Sequence, residues 1–364
     1  MKENIKYCAI ICEFNPFHNG HAHIIAQAKK LTGLPVLCLM SGNFCQRSEA
    51  ACLEKRIRAQ HAIKAGASIV LELPVCYATG SANTFAKGAI EILKNLPVTH
   101  LVFGSECGDL SLLLQAKELS KSLNNNANVR TELKKGQNYK TATRMAASQA
   151  NTSLSEIFEK PNNMLAVEYL KALEGTNITP ITIKREDNYL SSGVEFSSST
   201  QIREDIKADR TPTGIPSYVV SDLESFKNDS TIKEHLFFAL KLASTQKLST
   251  LFSVSEGLEH RIAKTAAQAN TFDQFLENAV TKRYSRTRLR RIALENFFGI
   301  TKEKMQEIQN STQTTTLLAK AEGTNFDGFF EKQINLVLKK SDKTKYSQTP
   351  SLAIDITAEK LYSR

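Results

Sequence analysis

Five short runs in the first two hundred residues are apolar at nearly every position: Ile5–Ile11, Pro35–Met40, Ser68–Leu73, His100–Phe103 and Pro180–Ile183. Continuous apolar runs of this length, rich in Ile, Val and Leu, predict strands buried on both faces. Between them, His21–Leu31, Ala50–Ala65, Ser81–Leu96, Leu110–Leu123 and Met164–Leu173 carry apolar residues at helical spacing. Strand–helix alternation predicts an α/β fold, a doubly wound parallel sheet with helices on its faces. Such sheets bind ligands in the crevice beyond the carboxyl ends of their strands, so the loops after each strand are the places to inspect.

The texture changes after about Asp205. Thr211–Pro216 (TPTGIP) reads as a linker. Beyond it, Ile232–Leu242, Glu256–Ala269, Phe272–Ala279 and Arg286–Phe298 have helical periodicity, and strand patterns are few. Two domains are expected: 1–209, α/β, and 210–364, mainly α-helical. The tail from Lys339 is polar and basic, with one apolar patch near Leu352–Ile356.

A chain of 364 residues, 41% hydrophobic and 23% charged, has the composition of a folded protein rather than a disordered one or a coiled coil. Its longest apolar runs, such as Tyr7–Cys12, fall far short of the roughly 20 residues that span a bilayer. Neither a membrane partner nor a signal peptide is expected, and the expected compartment is the cytoplasm. Seven cysteines (Cys8, Cys12, Cys38, Cys45, Cys52, Cys76 and Cys107) include no C-x-x-C pair, and four lie in or beside apolar runs. They read as small hydrophobes in a reducing compartment, not as a disulfide framework or a metal site.

The net charge is +10. One dense block, Lys282, Arg283, Arg286, Arg288, Arg290 and Arg291, contains no acid. On a helix, Lys282, Arg286 and Arg290 would share a face, with Leu289, Ile292, Ala293 and Phe297 forming the apolar stripe. Positive charges crowded at a helix start oppose the macrodipole and one another, so an external polyanion would explain them. The candidate partner is RNA, contacted through its phosphates by Lys282, Arg283, Arg286, Arg290 and Arg291.

Chemistry concentrates in two places. After the first apolar run comes Glu13-Phe-Asn-Pro-Phe-His18-Asn-Gly20-His21, opening a helix. Gly20 permits close backbone approach, the helix start offers free N–H groups, and the imidazoles can donate to phosphate oxygens. Late in the same half, Phe196-Ser-Ser-Ser-Thr-Gln-Ile202 is followed by Arg203. Hydroxyls at a helix start, with an arginine one turn on, form another oxyanion cradle.

An early H-x-G-H with a late S-S-T-x-I-R-type motif resembles the adenylylating nucleotidyltransferase superfamily. Closer up, the chain resembles the tRNA(Met) cytidine acetate ligases. The matching stretches are CEFNPFHNGH (12–21), MSGNFCQR (40–47), FGSECGD (103–109), KPNNMLAVEYL (160–170), Ile183–Arg185, FSSSTQIR (196–203) and TKRYSRTRLRR (281–291). The resemblance implies a nucleotidyltransferase-type Rossmann (HUP) domain. It implies an enzyme that activates acetate with ATP, accompanied by Mg²⁺, to acetyl-adenylate, and then acetylates N4 of the wobble cytidine of elongator tRNA(Met). It also implies an ATP site built from Ile11, Cys12, Glu13, Phe14, Asn15, Pro16, Phe17, His18, Asn19, Gly20, His21, Ala22, His23 and Ile24. Gly104, Asn162, Arg185, Ser199 and Thr200 join that site, and His18, His21 and Arg203 are its expected catalytic residues. A small-molecule adenylyltransferase is the alternative, and a non-catalytic RNA-binding relic a third reading. The basic helical half favours the RNA enzyme over the first, and the intact His18, His21 and Arg203 favour it over the second.

Overall fold

A computed structural model describes residues 5–363, apart from 124–126, 138, 151, 186–196, 256, 325, 327–328 and 330–332. Among the described residues, seven strands form one sheet: β1 (Tyr7–Cys12), β2 (Val36–Ser41), β3 (Ile69–Leu73), β4 (Val98–Ser105), β5 (Thr179–Lys184), β6 (Thr314–Lys320) and β7 (Asn335–Val337). Their order is β5-β4-β1-β2-β3-β6-β7. The five strands predicted from apolar runs pair in parallel; β6 joins β3 antiparallel, and β7 joins β6 in parallel.

Successive side chains of β1 and β2 point to opposite faces, as the pleat requires. Tyr7, Ala9, Leu37 and Leu39 pack into one layer; Cys8, Ile10, Cys12, Cys38 and Met40 pack into the other, with Ile25, Ala28, Ala59 and Ala62. The chain runs from β1 to β3 on one side and then crosses to β4 and β5 on the other. The strand order therefore reverses between β1 and β4, and the crevice lies at their carboxyl ends.

Boundaries shift where local chemistry overrides periodicity. The helix expected over Ala50–Ala65 spans Lys55–Lys64: Ala50 bridges to Phe44, and the Glu54 carboxylate takes the backbone N–H of Arg56 at 2.7 Å. TPTGIP is no free linker. The carbonyl of Gly214 accepts from the backbone N–H of Asn19 (2.9 Å), and Ile215 packs against the core. Strands β6 and β7 were not expected. β6 opens with buried Thr314 and Thr315, whose hydroxyls hide the apolar pattern, and β7 has three residues. Glu256, the expected start of one helix, lies outside the described residues; that helix spans Leu258–Gln268. Around it, Ser230–Lys241, Phe272–Ala279 and Arg286–Phe298 close a helical core through Leu236, Ile262, Phe275, Leu276 and Ile292.

Candidate active site

The segment after β1 turns sharply into the Asn19–Thr32 helix. Phe14 has φ 51°, left-handed backbone that a bulky residue rarely adopts, and its buried ring packs on Phe17 (centroids 4.9 Å) and His21 (4.8 Å). His18 has extended backbone at the helix N-cap, and its ring stacks on that of His21 with centroids 3.6 Å apart. The backbone N–H of His18 donates to Nδ1 of His21 (3.3 Å). An accepting Nδ1 puts the proton of neutral His21 on Nε2, where it can be donated outward. Nδ1 of His18, itself buried, has no partner among the described residues.

Burial, and secondarily the charge of Arg185, push the His18 imidazole down to about 3. Burial, then His18, then Arg185 depress His21 likewise. Both rings are neutral at physiological pH, so in the free protein they supply hydrogen-bond donors while arginine supplies charge. Arg185 follows β5, its backbone N–H donating to the carbonyl of Ser105 (2.8 Å). Its side chain crosses Gly104, near the end of β4, where an added Cβ would stand 3.1 Å from Arg185 Cγ. A larger residue would displace the arginine.

The second motif lands on the first. Ser198 caps the Ser199–Lys207 helix by accepting from the N–H of Gln201 (3.1 Å). Ser199 Oγ donates to the carbonyl of Pro16 (3.2 Å), and Arg203 donates to that of Asn15 (2.6 Å) and to Thr200 Oγ1 (3.4 Å). Phe196, the first residue of that motif, lies outside the described residues. Asn162, at the start of the Pro161–Ala172 helix, is held by Glu106: its backbone N–H and its amide donate to Oε1 at 3.1 and 2.8 Å. The neighbouring N–H of Asn163 donates to Oε2 at 2.7 Å.

Sequence reasoning missed Glu106 and Arg58. The Arg58 side chain is fully buried and donates to the carbonyls of Leu53 (2.9 Å), Glu13 (2.5 Å), Ser41 (3.2 Å) and Gly42. One guanidinium thus fastens the carboxyl ends of β1 and β2. Lys55, Arg58 and His61 recur every third residue beside Ala59 and Ala62, a small-residue stripe that marks the inward face. Glu13 Oε1 accepts the backbone N–H of Gln46 (2.6 Å), and burial raises the pKa of its carboxyl. Among the described residues, no group of three or more His, Cys, Asp or Glu could hold a metal ion.

The basic block splits in two. Lys282 precedes the Arg286–Phe298 helix rather than sharing its face. Arg290 pairs with Glu49, Arg291 donates to the carbonyl of Thr79 (2.7 Å), and Arg288 donates to that of Ser253 (2.9 Å). Burial lowers the Arg291 pKa. Lys282 is exposed; Arg283 and Arg286 are half-buried, and Arg286 pairs with Asp273 (2.7 Å).

A family model described as HIGH Nucleotidyl Transferase matches residues 5–364. The tRNA(Met) cytidine acetate ligase of Thermoanaerobacter sp. (strain X514) is 33% identical, over 97% of this chain and 94% of that protein. The tRNA(Met) cytidine acetate ligase of Caldicellulosiruptor saccharolyticus is 38% identical, over 80% and 76%. Crystal structures of Thermotoga maritima TmcAL superpose with TM-scores of 0.87 for the apo protein and 0.85 with alpha-thio ATP bound. Each is 29% identical and covers 99% of this chain and 94% of its own.

Proposed function

From the premise that this chain belongs to the HIGH nucleotidyl transferases, and among them to the tRNA(Met) cytidine acetate ligases, we infer that it is an ATP-dependent ligase. It activates acetate as acetyl-adenylate and acetylates N4 of the wobble cytidine of elongator tRNA(Met). The observation that carries this reading is the neutral, stacked His18–His21 pair at a helix start, one imidazole nitrogen buried and unpaired, beside Arg185.

A carboxylate oxygen of acetate attacks the α-phosphorus of ATP in line. The bond to the bridging oxygen breaks, and pyrophosphate leaves. The N4 amine then attacks the acetyl carbonyl, AMP departs with the electron pair of the anhydride bond, and one amine proton is released. Phosphoryl chemistry of this kind asks for position and charge rather than a covalent nucleophile. His18 and His21 donate to phosphate oxygens, Arg185 supplies positive charge, and Gly104 leaves room for the nucleotide. Arg203 and Ser199 act one step back, fixing the Asn15–Pro16 carbonyls and hence the curve of the loop. Mg²⁺ accompanying the triphosphate would spread its negative charge.

Residues 1–209 then hold ATP, with β6 closing their sheet, and the helical half presents Lys282, Arg283 and Arg286 to RNA. No helix among the described residues is long and apolar enough to cross a membrane. The substrate, an RNA held in the cytoplasm, sets the working compartment. Exchange of labelled pyrophosphate into ATP tests the first step. The expected result is exchange that requires acetate; exchange that instead requires a phosphorylated small molecule, or none at all, overturns it.

A further inference from the structure

A cavity of about 420 Å³ opens between the start of the Lys55–Lys64 helix, β3, β6, β7 and the Pro350–Tyr362 helix. None of the residues assigned above to ATP or acetate lines it. Its deep wall is polar and buried. Lys55 Nζ donates to both carboxylate oxygens of Glu72 at 2.8 Å, and Asp355 Oδ1 accepts the backbone N–H of Val75 at 2.7 Å. Burial, then the charge of Glu72, pushes the Asp355 carboxyl up to about 8, so at neutral pH it is protonated and can donate from its second oxygen. The floor is apolar, formed by Leu317, Val337, Leu352 and Ile356. At the mouth stand Arg56, Lys339 and Lys340, all exposed and without an ion-pair partner among the described residues. A fourth cation, Lys343, is paired with Glu359.

The chemistry is graded from mouth to floor. Unpaired cations at an entrance attract an anion. An apolar floor of this size accepts a flat ring, and buried donors and acceptors beyond it can read a polar edge. We propose that this cavity is a second nucleotide site, which takes a phosphorylated nucleoside with its base on the Val337–Ile356 floor and its phosphate at Lys339, Lys340 and Arg56. The nucleoside can be free in solution or an unpaired nucleotide of an RNA. The assignment rests on the cavity alone and stands whether or not acetate is the acid activated at His18.

The test uses the full-length protein with its first site saturated by a non-hydrolysable ATP analogue. Titrations of AMP, CMP, GMP and UMP by calorimetry form one arm; tRNA affinity by fluorescence anisotropy forms the other. The variants are Lys339→Ala/Lys340→Ala, which alters only exposed charge, and Ile356→Trp, which fills the floor without changing charge. Thermal melting confirms that each is folded, and the lysine pair serves if the tryptophan does not fold. Mononucleotide binding that falls at least tenfold in either folded variant supports the proposal with a free ligand. No mononucleotide binding, but a fivefold or greater loss of tRNA affinity in Ile356→Trp, supports it with an RNA ligand. Where only the lysine pair folds, a fivefold loss of tRNA affinity at low salt that narrows as salt rises, with the salt slope lower by roughly 0.7–0.9 per lost phosphate contact, stands in for that result. Mononucleotide binding that is equal in the parent and the folded variants overturns it, as does the absence of mononucleotide binding together with unchanged tRNA affinity.

Discussion

His21 is held by the Phe14 and Phe17 rings, the His18 ring and the His18 backbone N–H, all from the short segment that leads into its helix. Its orientation is therefore fixed before ATP arrives, the condition under which a donor lowers a barrier most. His21→Ala should reduce acetate-dependent pyrophosphate exchange about a hundredfold with a thermal midpoint close to that of the parent; near-parental exchange would remove His21 from the mechanism. The protonation states give a second expectation. With His18 depressed to about 3 and His21 lowered as well, neither ring gains or loses a proton as the pH rises from 6 to 8. The exchange kcat/KM should then show no acid limb near 6.5 that belongs to these rings. A limb at that pH, lost in His21→Ala, would contradict the neutral assignment. His18, Gly20 and His21 were legible in the sequence because their chemistry and spacing are rare together. Arg58 was not: an arginine in Lys-Arg-Ile-Arg-Ala-Gln-His reads as solvated surface, and only folding shows the strand-end carbonyls that satisfy it.

At the scale of elements, the Arg286–Phe298 helix joins the two halves of the chain. Leu289, Ile292 and Ala293 bury as its stripe predicts, while Phe297 is only partly buried. Its arginines divide between tying the halves together and facing outward, which charge density alone could not reveal. Arg290 and Glu49 lie 241 positions apart in sequence, and Arg291 reaches the carbonyl of Thr79. Lys282→Ala with Arg283→Ala should weaken tRNA binding and lower the salt slope by roughly 0.7–0.9 per lost phosphate contact. Arg290→Ala should lower thermal stability in proportion to its coupling with Glu49, measured by a double-mutant cycle, and leave the slope almost unchanged. The reverse pattern would move the RNA face onto Arg290. The same logic explains the missed strands. β6 pairs Val70 with Ala319 and Leu71 with Leu317 across the edge of a sheet built about 250 residues earlier, and no local pattern encodes that pairing.

The whole molecule is a sheet whose two ends come from different stretches of chain. Removing residues after Asp209 would strip β6 from β3, leaving Ile69, Val70 and Leu71 on an apolar edge with unpaired backbone groups. Exposed edges of that kind aggregate. Such a truncation should be insoluble or oligomeric by size-exclusion chromatography; a soluble monomer that binds ATP would show that β6 is dispensable. Fold class and the turn that forms the proposed ATP loop could be read locally, because buried parallel strands and a strand-to-helix turn with paired histidines are written in contiguous residues. The closure of the sheet, the packing of Thr211–Pro216 on Asn19 and the cavity beside Asp355 depend on contacts between distant segments. The central claim is that one chain activates acetate and passes the acetyl group to a cytidine. The most direct measurement is incubation of the purified protein with ATP, labelled acetate and tRNA(Met), followed by nuclease digestion and mass spectrometry of the nucleosides. The account predicts ATP-dependent label in N4-acetylcytidine, with AMP and pyrophosphate released in equal amounts. An RNA that stays unlabelled while ATP and acetate are consumed, or label in any other nucleoside, would contradict it.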